Sequence, residues 1–205
     1  MSATPIAVER LAPARCDDFL RFFDHERGPA FADNPGWARC YCHYYHVPKA
    51  MDWSRFTAAQ NRLAMTSRIE TGEQEGYLAY AADEVVGWVN AQPCHKLPHA
   101  CDRLGIKAPD LDVPAFQAAA VLCFVIAPAW RRKGVARALL AGALDSLAAR
   151  GISVVDAFPF KAADSDTPAD HYHGPEALFR AAGFSVLRED RDLTVMRKRL
   201  GAPGP

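Results

Sequence analysis

Apolar residues follow two rhythms along this chain: short runs of strand-forming residues, and longer stretches in which they return every three or four positions. Residues 6–11 open with a strand run, and residues 14–26 carry Phe19, Phe22 and Phe23 at the i, i+3, i+4 spacing of a helix face. Residues 28–53 break both patterns with Pro, Gly and a dense aromatic group from Trp37 to His46, predicting a loop that lids a pocket or packs under a long connection. Thr57 and Gln60 make a capping-box pair that starts a helix through Leu63, Met65 and Ile69 and ends by Gly72. Residues 76–82 and 85–92 read as hairpin strands around Asp83 and Glu84, whereas residues 93–114, rich in Pro, His and Cys, read as irregular.

The second half is more regular. Residues 119–126 are continuously apolar, the pattern of a strand covered on both faces, and Pro128 closes it. A helix follows with Leu140, Leu144 and Leu147 on its apolar side, flanked by Val135 and Leu139, and it stops at Gly151. Residues 153–160 form the next strand, which a right-handed crossover pairs in parallel with 119–126. A polar loop at 161–167, a short helix at 175–182 and closing strands at 184–187 and 194–199, joined through Glu189, Asp190 and Arg191, complete the chain, with 201–205 expected to fray. This order predicts one α+β domain over residues 1–205, with a mixed sheet and one parallel βαβ step.

Between the apolar strand and its helix stand Arg131, Arg132 and Lys133. A helix N-terminus is already positive and its first amides lack partners, so three cations there ask for an anion. A phosphate or pyrophosphate would satisfy amides and cations together, while Gly134 and Ala136 let backbone approach it closely. Neither GxxxxGK[ST] nor GxGxxG occurs, so those nucleotide loops are not supported.

The run Arg131-Arg132-Lys133-Gly134-Val135-Ala136 resembles the R/Q-x-x-G-x-G/A signature of the GNAT superfamily of acyl-CoA-dependent N-acyltransferases. Ile126-Ala127-Pro128 resembles its apolar-x-Pro step, and Leu178-Phe179-Arg180-Ala181-Ala182-Gly183-Phe184 resembles its L-Y-x-x-x-G-F helix end, so the resemblance covers about residues 85–199. It implies a mixed, mostly antiparallel central sheet with helices on both faces, the parallel step lying at the CoA site where two strands splay around the thioester. It also implies that the backbones of Phe124, Val125 and Ile126 hold pantetheine, and that Arg131, Arg132, Lys133, Gly134, Val135 and Ala136 hold the pyrophosphate. The implied activity is transfer of acetyl from acetyl-CoA to a primary amine of a small molecule or peptide, by direct attack in a ternary complex and without a metal. Two positions depart from the family: its thiolate-protonating tyrosine is Phe179 here, and its glutamate base is Ala120. Those departures leave a non-catalytic acyl-CoA-binding or sensing module as the alternative.

Three residues are candidates for the missing chemistry. Asp156 is one acid in an otherwise apolar strand, where a carboxylate is costly unless paired or functional, and it reads as a base or amine anchor, or as half of a salt bridge. Tyr172 and His173 precede the last helix, beside His171, and offer a phenol for the leaving thiolate and an imidazole for the amine's proton. Cys123 sits among apolar neighbours and reads as core. Cys40, Cys42, His43, His46, Cys94, His95, His99 and Cys101 lack the spacing of a zinc knuckle, so no metal is expected.

Composition narrows the class. Half of the 205 residues are hydrophobic, and Lys+Arg and Asp+Glu balance at 24 each, which argues against a general nucleic-acid or membrane-surface binder. With no apolar run of membrane-spanning length and no leader pattern, the reading is a cytoplasmic protein whose six cysteines are free thiols, with a homodimer left open.

Overall fold

The structure is a computed structural model that describes residues 5–24, 38–161 and 171–201. The end of the first helix toward Glu26, residues 28–37 of the aromatic segment, residues 162–167 of the polar loop and the tail at 202–205 lie outside the described residues. Among these residues seven strands form in chain order: β1 (Ile6–Arg10), β2 (Tyr77–Ala81), β3 (Glu84–Pro93), β4 (Ala118–Ile126), β5 (Val154–Ala157), β6 (Ser185–Glu189) and β7 (Thr194–Arg199). Among the described residues five α-helices accompany them: α1 (Cys16–Phe23), α2 (Ala58–Glu70), α3 (Ala100–Leu104), α4 (Val135–Ala149) and α5 (Glu176–Ala181). The sheet runs β1-β2-β3-β4-β5-β7-β6, and every neighbouring pair is antiparallel except β4 and β5.

β4 is apolar throughout because helices cover both faces of the sheet around it. On one face Leu122 and Trp88 pack with Phe19, Phe22 and Phe23 of α1 and Met65 of α2. On the other, Val121 and Phe124 pack with Leu139 and Leu140 of α4 and with Phe179 of α5. Among the described residues no helix is long and apolar enough to cross a membrane.

Three sequence expectations change, and a strand order that the sequence left open is added. The inner stripe of α2 is Asn61, Met65 and Ile69, leaving Leu63 at 73 % exposure. Asn61 can occupy the core because its amide is bonded at both ends, donating to the Arg39 carbonyl at 2.8 Å and meeting His43 Nδ1 at 2.8 Å. The stretch read as irregular contains α3. The strand expected over 153–160 is only four residues long, since β4 and β5 part after the Val121–Ala157 pair. Finally, the closing hairpin turns its second strand inward, so that β7 lies between β5 and β6.

Candidate active site

Where β5 leaves it, β4 turns backbone polar groups toward a gap. A bulge at Leu122, set between the Asn90–Cys123 and Ala91–Val121 pairs, turns Leu122 and Cys123 toward the same core. Beyond the bulge Ala127 donates to Val86 at 3.0 Å and Val125 pairs with Trp88. Antiparallel residues exchange bonds alternately, so Val125 turns its polar groups toward β3 while Phe124 and Ile126 aim theirs into the gap. The gap is partly filled by the chain itself. Phe124 N–H donates to the Tyr172 carbonyl at 2.6 Å, and Arg131 Nε donates to the Ile126 carbonyl at 3.2 Å.

The basic turn read as an anion cradle stands at the end of β4. A single 3-10 turn, Pro128–Trp130, reverses the chain, and Lys133 sits over the Trp130 ring at 5.2 Å. Arg132 and Gly134 take left-handed backbone, with φ of 62° and 85°. Helix α4 then begins on Gly134 with no side-chain cap among the described residues and no acidic residue in its first turn, so its positive end is suited to an anion. A Cβ built on Gly134 would meet nothing within 4 Å, which leaves open space above that backbone. Arg132, Lys133 and Gly134 are exposed, Arg131 and Ala136 half-buried, and Val135 buried. The residues present therefore fit a pyrophosphate.

From Arg132 a groove of about 1260 Å³ runs between α4 and α5, floored by Leu140, Leu144 and Leu178 and edged by Arg137 and Lys198.

The candidate side chains lie on different sides of this gap. Asp156 is buried opposite Ala120 at the base of the gap, and its two oxygens accept from Arg197 Nε at 2.7 Å and Nη2 at 2.8 Å. Tyr172 is half-buried with its ring 5.6 Å from Phe160. His173 is 1 % exposed, and burial pushes its imidazole down to about 3, so it is neutral near pH 7. Its Nε2 lies 3.2 Å from the Tyr45 hydroxyl, while Nδ1 has no partner among the described residues. Phe179 is wholly buried against Phe124 and Phe184 and offers no proton. Among the described residues no group of three or more His, Cys, Asp and Glu converges as a metal site.

A family model described as "Acetyltransferase (GNAT) family" matches residues 39–175, two thirds of the chain. The chain belongs to the GNAT acetyltransferase family. No curated protein matches it in sequence. Solved structures with the same fold include a GCN5-related N-acetyltransferase from Kribbella flavida, at 20 % identity and TM-score 0.56, covering 97 % of this chain and 100 % of that one. The PaiA N-acetyltransferase from Thermoplasma acidophilum, in complex with coenzyme A, matches at 13 % identity and TM-score 0.53, over 96 % and 99 % of the two chains. YncA, a putative acetyltransferase from Salmonella typhimurium with its cofactor acetyl-CoA, matches at 18 % identity and TM-score 0.51, over 100 % and 98 %.

In this GNAT domain several site residues escape sequence reasoning. Gly87 of β3 lets the start of α4 settle on the sheet, because a Cβ there would come within 2.8 Å of Val135 Cγ1 and 3.0 Å of Ile126 Cδ1. Gly174, at φ 79°, brings the 171–174 turn against Phe124, where a Cβ would stand 3.1 Å from the ring. Tyr45 comes from the aromatic segment, whose composition marks a pocket wall without naming the hydroxyl that reaches the Leu122 carbonyl at 3.5 Å. All three depend on contacts far apart in sequence; a glycine inside a strand pattern is the one local signal, at Gly87.

Proposed function

We propose that this protein transfers acetyl from acetyl-CoA to a primary amine of a small molecule or peptide, by direct attack with both substrates bound. The observation that carries the reading is the uncapped start of α4 on Gly134, beside Arg132 and Lys133, at the end of a strand that parts from its parallel neighbour. Acetyl-CoA, when bound, supplies the activated thioester. Arg131 through Ala136 would hold its pyrophosphate, Arg137 and the α4–α5 groove its remaining nucleotide portion, and the backbone of Phe124 and Ile126 the pantetheine arm. Rate would come chiefly from orienting the two reactants and from amides aimed at the carbonyl oxygen.

Asp156 is the proposed anchor of the amine. Arg197 takes one lone pair from each carboxylate oxygen, leaving others for an ammonium group. Tyr172 is the proposed donor to the leaving thiolate, and His173, neutral near pH 7 and bonded to the Tyr45 hydroxyl, packs against the Tyr172 ring instead of acting as a cationic relay. Asp156→Asn is expected to raise the acceptor KM with acetyl-CoA affinity unchanged, and Tyr172→Phe to lower kcat. Unchanged kinetics in both variants would remove these roles.

A second reading, an acyl-CoA-binding module without catalysis, is favoured by the Tyr172 carbonyl on Phe124 N–H and by Phe179 and Ala120 at the family's acid and base positions. Free-thiol release from acetyl-CoA, followed across a panel of primary amines, separates the two. Transfer predicts amine-dependent release; binding of acetyl-CoA with no release from any amine would favour the module.

A further inference from the structure

The gap beside β4 holds a turn of the chain on the amide that the acetyl-CoA reading assigns to the pantetheine arm. Past Ala157 the chain keeps company with the start of β7: Thr194 N–H donates to the Pro159 carbonyl at 2.9 Å, and Lys161 N–H donates to the Asp192 carbonyl at 3.1 Å. The turn 171–174, closed by Gly174 N–H on the His171 carbonyl at 2.8 Å, bridges that segment and β4. On the β4 side the Tyr172 carbonyl accepts from Phe124 N–H at 2.6 Å, and a Cβ on Gly174 would stand 3.1 Å from the Phe124 ring and 3.2 Å from the Phe179 ring. On the other side the Phe160 ring packs against His173 at 4.3 Å and Tyr172 at 5.6 Å.

Seating the turn has an energetic cost. His173 is 1 % exposed and its Nδ1 has no partner among the described residues, so a polar nitrogen is buried uncompensated. That cost is relieved when the turn swings into water. Opposing release is the Tyr45 hydroxyl, which lies 3.2 Å from His173 Nε2 and 3.5 Å from the Leu122 carbonyl at the β4 bulge. Tyr45 is itself buried in the aromatic segment, so it ties the turn to a wall of the same gap.

We infer that the 171–174 turn is a gate on β4: it occupies the Phe124 amide in the free protein, the Tyr45 hydroxyl latches it through His173, and it gives way when the pantetheine arm of acetyl-CoA enters. The inference rests on the acetyl-CoA reading and deepens it. Opening exchanges hydrogen bonds only: Phe124 N–H passes from the Tyr172 carbonyl to a carbonyl of the arm, while His173 passes from Tyr45 to water. The arm binds only the open fraction, so the measured affinity is the intrinsic one reduced by that fraction. A ligand that lacks the arm has no differential contact with the two states and does not open the gate.

Hydrogen exchange of the parent, read by mass spectrometry, tests this with acetyl-CoA and with adenosine 3′,5′-bisphosphate, which has phosphates and adenine but no pantetheine arm. Acetyl-CoA is expected to slow exchange at 131–136 and to raise it at 171–174, a rise that the bisphosphate does not produce. Tyr45→Phe keeps the ring and removes the latch, and it is expected to bind acetyl-CoA about 5-fold more tightly in calorimetry, with affinity for the bisphosphate unchanged. Slowed exchange at 131–136 with exchange at 171–174 unchanged or lowered would overturn the gate, whether or not the variant folds, and leave the cofactor reading standing. A folded Tyr45→Phe with parental affinity for acetyl-CoA would overturn the latch. Absence of any slowing at 131–136 with acetyl-CoA would overturn the cofactor reading and the gate with it.

Discussion

His46 and His173 are buried imidazoles that burial pushes down to about 3. His46 is fixed as a neutral tautomer, accepting from Arg68 at Nδ1 and donating to Gln74 from Nε2 at 2.6 Å. In the unfolded chain an imidazole takes its proton near pH ~6.5. Between the two values the unfolded chain binds protons that the folded one refuses, so stability falls as pH drops from about 6.5 toward 3. Each histidine contributes roughly 1.4 kcal/mol per pH unit inside that window. The urea midpoint is therefore expected to fall between pH 6.5 and 5, and a flat profile would contradict the burial of both rings. Asp156 shows how far single residues were legible. Its isolation in an apolar run marked it as paired or functional, but its partner, Arg197, is 41 residues away and carries no local signal. Arg197→Met should strand that carboxylate and lower stability by about 3–5 kcal/mol, read from denaturant unfolding.

At the scale of elements, periodicity worked where a helix or strand has one apolar stripe and failed where two compete. α4 follows its leucines and ends at Arg150 and Gly151 as the sequence suggests. α2 has a rival stripe, and the structure chooses the one containing Asn61, because a hydrogen-bonded amide can be buried while Leu63 faces solvent. The seat of α4 on β3 depends on Gly87, through a contact made 48 residues later at Val135. Gly87→Val should overpack that contact, destabilise by about 1–3 kcal/mol and tilt the start of α4 away from the cradle. A lowered Tm with weakened acetyl-CoA affinity is expected; an unchanged Tm would show that the helix does not rest there.

For the whole molecule, the parallel β4–β5 step followed from the expected crossover, and the position of the three cations at the start of α4 was visible in the sequence. The insertion of β7 and the docking of the Tyr172 carbonyl on Phe124 were not, since both are pairings between distant segments that no local pattern encodes. The central claim, that the α4 cradle holds the pyrophosphate of acetyl-CoA, is tested most directly by titration calorimetry of the parent against Gly134→Glu, with circular dichroism confirming an intact fold. The account predicts that the parent binds acetyl-CoA, that Gly134→Glu shows no measurable heat because bulk and negative charge occupy the anion's place, and that Arg132→Ala weakens binding to a smaller degree. A folded Gly134→Glu that binds acetyl-CoA as tightly as the parent would contradict it.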